Sequence, residues 1–332
     1  MNEIKTFSLN LRVPVHTLAQ LGTNCNCDHN TDTKSISSLT KRARAKTFTA
    51  PLSVKLASLD SGLKKSYWNT YHCNESLVQN GKTVTGSYCG NRWCSVCNRI
   101  RTAKLIHGYT RPLAELKEKQ FVTLTLPNCE ASELRKTIDL MLKYSKEIQE
   151  TFKKRHLRGV QDWQLIGLRK LECTYNRHMN TYHPHFHFVV QGKTAAIELK
   201  NEWLKRVPTA TDAAQDIRDA LAGSEMELFK YFTKITTKTD EGFKTFVKPL
   251  DVIFTAMRGL RVFQPIGIKK DVSEEIEDII SEEIEDIKPD VTVFQWFKND
   301  WINTETGEVL TGYVPSEAIL KLIDNIKTNG SS

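Results

Sequence analysis

Thr181 to Val190 read TYHPHFHFVV, with three histidines in five positions, at 183, 185 and 187. The segment reads as a buried strand, in which successive side chains point to opposite faces. All three histidines then line one face, and Phe186 and Phe188 line the other. A lone histidine in a strand is ordinarily a satisfied polar residue. A His-x-His pair facing one way is different, because imidazoles two residues apart can share one cation.

A further ligand has to come from a neighbouring strand. WQLIGLRKLECTYN (Trp163 to Asn176) reads as that strand, joined to the first by a polar turn from Arg177 to Asn180. Antiparallel pairing brings Leu171 to Thr174 near His183 to His187, where Glu172 is the carboxylate at hand and Cys173 faces away. A His-His-Glu set with open positions suits Mn²⁺ or Mg²⁺, which keep waters and accept phosphate oxygens. A cupin also uses His-x-His, but it places a glutamate shortly after the pair, and Val189 to Gly192 contains none.

Working outward, FVTLTLPN (Phe121 to Asn128) is rich in β-branched residues and closed by Pro-Asn, so it reads as a strand. Leu134, Ile138, Met141, Leu142, Ile148 and Phe152 then follow at helical spacing. Ala196 to Lys238 reads as helical, with breaks near Val207 to Thr211 and near Gly223. Lys248 to Phe254 and Arg261 to Gln264 read as short strands. VTVFQWF, a turn at Glu305 to Glu308, VLTGYV and the amphipathic SEAILKLIDNIK close the chain.

The 332 residues carry a formal charge of +8, unevenly spread. Residues 271–290 (DVSEEIEDIISEEIEDIKPD) hold ten acidic residues and one lysine, a local −9, so the other 312 carry +17. A basic body is the footprint of a protein that meets polyphosphate, most simply nucleic acid. No apolar run approaches the roughly 18 residues of a membrane helix, and the N-terminus lacks a secretory h-region, so no membrane role and a cytoplasmic location are expected. Residues 1–60 are polar and end in the basic run KRARAK; they read as a disordered basic arm, either touching nucleic acid or simply solvated.

Eight cysteines in a cytoplasmic chain point to metal ligands or buried small residues before disulfides. Cys73, Cys89, Cys94 and Cys97, the last two a Cys-x-x-Cys pair, have the make-up of a closed four-thiolate Zn²⁺ site. Such a site would pin a segment too poor in apolar residues to fold alone. Arg92, Trp93, Arg99, Arg101 and Lys104 around it form either a DNA-facing surface, with cations for phosphates and an indole for stacking, or a solvated face. CNCDH at 25–29 is assigned no role, and Cys129 and Cys173 read as ordinary residues.

FVTLTLPN, then LECTYN with NTYHPHFHFVV, then ELFKYFTK, in that order, resemble the three motifs of HUH-type rolling-circle replication initiators. The resemblance is to the Rep family of small bacterial plasmids, which carry a cysteine cluster ahead of those motifs; it covers roughly residues 70–255. It implies an α+β fold: an HUH endonuclease domain with a central antiparallel sheet flanked by helices, preceded by a small zinc-binding subdomain. It places the catalytic metal on His185, His187 and Glu172, while His183 either supports those ligands or merely starts the strand. It makes Tyr231 the nucleophile, Glu227 the carboxylate that activates water at termination, and Lys234 an electrostatic aid near the phosphate. Single-stranded or hairpin origin DNA is the implied partner. No GxxxxGK[ST] occurs, so a host helicase, with a host DNA polymerase, would do the rest.

The implied division is 1–60 arm, 61–110 Cys-rich subdomain, 111–265 endonuclease, 266–290 acidic linker and 291–332 C-terminal β-hairpin and helix. Three alternatives stand beside this reading. A relaxase ordinarily places its tyrosine before the histidine motif, the reverse of the order here. Some HUH transposases pair two tyrosines, where position 232 is Phe. A zinc-containing DNA-binding protein without catalysis would use the histidines structurally.

Overall fold

The histidine stretch is the middle strand of a five-stranded antiparallel sheet in the computed structural model, which describes residues 38–81, 83–221, 228–230, 233–240, 242–271 and 291–328. The arm through residue 37, Glu227, Tyr231 and the acidic segment from 272 to 290 lie outside the described residues.

In chain order the elements begin with helices α1 (Ser38–Ala57) and α2 (Lys64–Tyr71), strands β1 (Ser76–Asn80) and β2 (Thr83–Gly86), and helix α3 (Ser95–Ala114). Strand β3 (Lys119–Thr125), helix α4 (Leu134–Leu157), strands β4 (Gly167–Asn176) and β5 (Thr181–Gln191) and helix α5 (Lys193–Arg206) follow. Next come β6 (Asp216–Asp219), β7 (Thr237–Thr239), β8 (Gly242–Lys244), helix α6 (Val247–Ala256) and β9 (Phe263–Ile266). Strands β10 (Val291–Phe297) and β11 (Asp300–Asn303) and helix α7 (Glu317–Thr328) end the order. The chain divides into two compact units, residues 1–103, 235–251 and 272–332 in one and residues 104–234 and 252–271 in the other.

The second unit is built on the sheet β6-β3-β5-β4-β9. Phe186 and Phe188 are buried on one face, where Phe186 meets the Trp203 ring of α5 at 5.9 Å. Helix α4 buries Leu134, Ile138, Met141, Ile148 and Phe152, the stripe its sequence spacing predicts. Helices therefore cover the phenylalanine face of an antiparallel sheet, the α+β arrangement expected from sequence. The β4–β5 turn is closed by Asn176 Oδ1, which accepts from the backbone N–H groups of His178 and Met179, and ends at Asn180 with φ 51°, a conformation Asn tolerates. At the other end of the hairpin, a Cβ on Gly167 would overlap the Val189 carbonyl oxygen. Gly167→Ala is expected to lower stability by about 1–3 kcal/mol through backbone displacement, readable as a shift in urea midpoint; an unchanged midpoint would show that the hairpin yields freely.

Two local expectations are corrected and a third is refined. Lys248 to Phe254 is helical rather than a strand, because Leu250, Ile253, Phe254 and Met257 are buried at helical spacing and Pro249 sits in the tolerant first turn. Of the stretch Ala196 to Lys238, read as helical, the described residues are α-helical as far as Arg206; Asp216–Asp219 pairs with β3 as an edge strand, and Thr233 to Thr236 are irregular. Pro208 and the β-branched threonines after it favour that outcome. The stretch VTVFQWF turns first at Lys298 and Asn299, with Lys298 at φ 55°, and pairs with β11; the turn expected at Glu305 to Glu308 is present after β11, where Ile302 bridges Val309 antiparallel.

In the first unit, β11-β10-β1-β2 form a four-stranded sheet in which β1 pairs with β10 across more than 200 residues of chain. Ala43, Leu77, Phe294 and Trp301 make its core. Ser38–Ala57, read from sequence as part of an irregular arm, is a helix whose Ala43 belongs to that core and whose Ala45 packs on the cysteine cluster. Helical propensity in KRARAK, together with this packing, outweighs the polar composition that suggested disorder. Among the described residues no helix is long and apolar enough to cross a membrane.

Candidate metal centres and catalytic face

On the face opposite the helices, β5 presents His183, His185 and His187, and the register sets Glu172 of β4 directly across from His185 and Lys170 across from His187. Donor atoms of Glu172, His185 and His187 all lie within 4.8 Å of one another, with His187 Nε2 3.7 Å from Glu172 Oε2. Ligands bound at about 2.1 Å to one ion can stand up to about 4.2 Å apart, so closing round an ion needs only small side-chain shifts.

The tautomers also suit ligation. His185 Nδ1 lies 3.0 Å from the His183 carbonyl oxygen, which can only accept, so the proton is on Nδ1 and the Nε2 lone pair is available. His187 Nδ1 lies 3.2 Å from Thr123 Oγ1, leaving its Nε2 toward Glu172. Burial lowers the pKa of both imidazoles, that of His187 to about 4 with help from His185, so both are neutral at pH 7 and can offer lone pairs. Burial pushes the Glu172 carboxyl upward, but the Lys170 ammonium and the two imidazoles outweigh it and hold the pKa below its usual value.

His183 stands apart from this set: its Nδ1 bonds Asn128 Oδ1 at 2.9 Å. Lys234 is exposed, and its charge is among the causes that lower the pKa of His185, after burial and Lys170. Sequence reading missed Lys170, whose fully buried Nζ donates to Glu172 Oε2 at 2.7 Å. A lysine inside an apolar strand, two residues before the carboxylate, was the available signal. It also missed Arg218, whose guanidinium lies over the Phe121 ring at 4.9 Å on the histidine face. Nothing in its short edge strand marked it.

Glu172→Gln or His185→Ala is expected to weaken Mn²⁺ binding by more than the roughly 10–100-fold typical of losing an outer hydrogen-bond partner. His183→Ala should stay within that smaller range. Calorimetric titration reads both, and an unchanged Mn²⁺ affinity in Glu172→Gln would remove it from the ligand set.

The second cluster is in the first unit. Cys97 Sγ lies 3.5 Å from Cys73 Sγ and 3.6 Å from Cys89 Sγ, and all four sulfurs with Cys94 fall within 4.8 Å. Tetrahedral zinc with bonds of about 2.3 Å sets sulfurs about 3.8 Å apart, whereas a disulfide would require about 2.05 Å. Backbone N–H groups of Cys89 and Cys97 point to the sulfurs of Cys73 and Cys94, each at 3.5 Å. Cys94 thereby caps α3, where the helix N-terminus favours a thiolate.

Charge balance agrees. Lys46 is buried and donates to the carbonyls of Tyr71 and Cys73 at 3.0 and 2.7 Å. A four-thiolate zinc centre carries −2 and supplies the counter-charge that four neutral thiols would withhold. Around it, Trp93 meets the Tyr67 ring edge-on at 5.8 Å and Arg101 donates to the Gly90 carbonyl at 2.7 Å. Arg92, Arg99 and Lys104 are half-buried.

Comparison with known proteins adds a family. A family model described as Replication protein matches residues 80–292. Curated relatives include Protein rep of Staphylococcus aureus, 29% identical over 122 residues that cover 35% of this chain and 50% of that protein. Protein rep of Streptococcus pneumoniae serotype 2 (strain D39 / NCTC 7466) is 30% identical over 115 residues, 32% of this chain and 34% of that protein. Protein rep of a Bacillus species is 28% identical over 116 residues. The chain thus spans half or less of the length of these relatives. No solved structure matches it.

Proposed function

The chain belongs to the Replication protein family, and from that premise we propose that it starts rolling-circle replication of a plasmid by cutting one DNA strand at the origin through a 5′-phosphotyrosine. The observation that carries this reading is the meeting of Glu172, His185 and His187 on the face of the sheet opposite its covering helices.

A divalent ion, Mn²⁺ or Mg²⁺, held by those three residues would supply Lewis-acid polarisation of the scissile phosphate. The phenol oxygen of Tyr231 attacks phosphorus, the bond to the 3′-oxygen breaks, and the proton lost by the phenol is made good on the departing 3′-oxygen. The products are a 5′-phosphotyrosine and a free 3′-hydroxyl, which a host polymerase extends while a host helicase unwinds the duplex. Lys234, whose charge acts on His185, and Arg218, on the histidine face, offset the phosphate's charge. Glu227 takes a proton from water to resolve the intermediate at termination. Zinc on the four cysteines would hold the other unit in shape.

Incubating the protein with end-labelled single strands tiled across the origin and Mn²⁺ tests this. One tile should yield a denaturant-resistant protein–DNA adduct that EDTA prevents. Binding to every tile without any adduct would favour the non-catalytic DNA-binding alternative.

A further inference from the structure

Lys170 is fully buried on the face of β4 that carries Glu172. A lysine is almost never found so deep unless its charge is met. Its Nζ donates to Glu172 Oε2 at 2.7 Å, and the same oxygen lies 3.7 Å from His187 Nε2. The ammonium and the space between the candidate ligands therefore border on one atom. A carboxylate oxygen has lone pairs enough to accept from Nζ and face an ion at once.

Solvent is kept from the ammonium. Phe263 of β9 stands directly across from Lys170 in the register, and the buried Phe229 stacks on Phe263 with centroids 6.0 Å apart. An ammonium shielded in this way acts on its neighbours more strongly than one in water. Fold stability alone does not account for it, because apolar residues in place of a buried ion pair are often neutral or stabilising. Its charge bears instead on the metal centre. Imidazoles that offer lone pairs are neutral, so Glu172 and Lys170 sum to zero, and a divalent ion brings the set to +2 where it would otherwise be +1.

We infer that Lys170 is a positioning residue that sets the strength of the metal centre. It holds Glu172 Oε2 in place and takes up part of its charge, so the carboxylate binds a divalent ion less tightly and leaves that ion more electron-poor toward a phosphate oxygen. This role rests on the reading of the face as a divalent-ion site for cutting DNA, and adds what tunes the ion.

The test uses the full chain with Lys170→Met, which keeps the side chain's bulk, and Lys170→Gln, which keeps an N–H donor without the charge. Calorimetric titration with Mn²⁺ alone should show both variants binding roughly 10–100-fold tighter than wild type, the span of a hydrogen bond to a charged group. At saturating Mn²⁺, nicking of the origin strand should fall roughly 10-fold or more in both. A lysine that merely filled space would not move affinity and rate in opposite directions. Weaker or unchanged Mn²⁺ binding in a variant that melts cooperatively would overturn this role and leave Lys170 a packing or orienting group. Tighter binding with an undiminished rate would overturn its part in the chemistry. Should Lys170→Met fail to fold, Lys170→Gln decides alone. Tighter binding in the variants with no adduct from any chain, wild type included, would sink the replication reading and leave the effect on the ion standing.

Discussion

Tyr231→Phe is expected to abolish the covalent protein–DNA adduct and reduce nicking by roughly 10³-fold or more, the scale on which loss of a covalent nucleophile is felt. Affinity for origin DNA and for Mn²⁺ should stay at wild-type levels, because the ring remains and only the oxygen is gone. The chain on either side of this position is anchored. Phe229 is buried and stacks on Phe263 with centroids 6.0 Å apart, and Lys234 acts on His185. Gel mobility of labelled origin DNA under denaturing conditions reads the adduct directly. Adduct formation at the wild-type rate in Tyr231→Phe would move the nucleophile to another hydroxyl. Parallel loss of DNA binding would make the residue structural.

Stripping zinc is the other large effect. Structural zinc contributes about 10–16 kcal/mol of apparent binding energy in small finger peptides, and here the four thiolates join the segment before β1, the loop after β2 and the start of α3. Cys94 is fully buried, and burial raises its thiol well above the ordinary range, so without a metal it would stay a protonated, poorly satisfied group. Cys94→Ser, or prolonged treatment with a strong chelator, should remove one zinc per chain and cost the first unit its cooperative melting transition. The five-stranded sheet draws no residue from the cluster and should keep its own transition. Metal analysis with scanning calorimetry separates the two. A chain with no bound zinc and an unchanged thermogram would leave the cysteines as packing groups only.

Local chemistry was legible where neighbours in sequence are neighbours in space. The β4–β5 hairpin has a four-residue polar turn, so the alternation in TYHPHFHFVV and in LRKLECTYN was enough to set Glu172 beside the histidines. The stripe of α4 was legible for the same reason, since six buried residues repeat at helical spacing. Lys248 to Phe254 was misread because a short apolar run fits strand and helix alike, and only burial of Leu250, Ile253 and Phe254 on one side decides between them. Ser38–Ala57 was misread because its stability lies in contacts with segments far along the chain.

Sequence by itself determined which groups are available for chemistry: two imidazoles and a carboxylate on one strand pair, four thiols at ligand spacing, and an order of motifs that nominates Tyr231 as nucleophile. Those are properties of residue type and short-range periodicity, which the backbone transmits without help. Tertiary structure alone decided which charges share a site. Arg218 reaches the histidine face through the pairing of β6 with β3, and Lys46 of α1 reaches the Cys73 carbonyl, because strands and helices far apart in the chain are brought together to bury their apolar sides. A side chain's charge is written in its own codon, but its partners are set by packing, which depends on the whole chain at once.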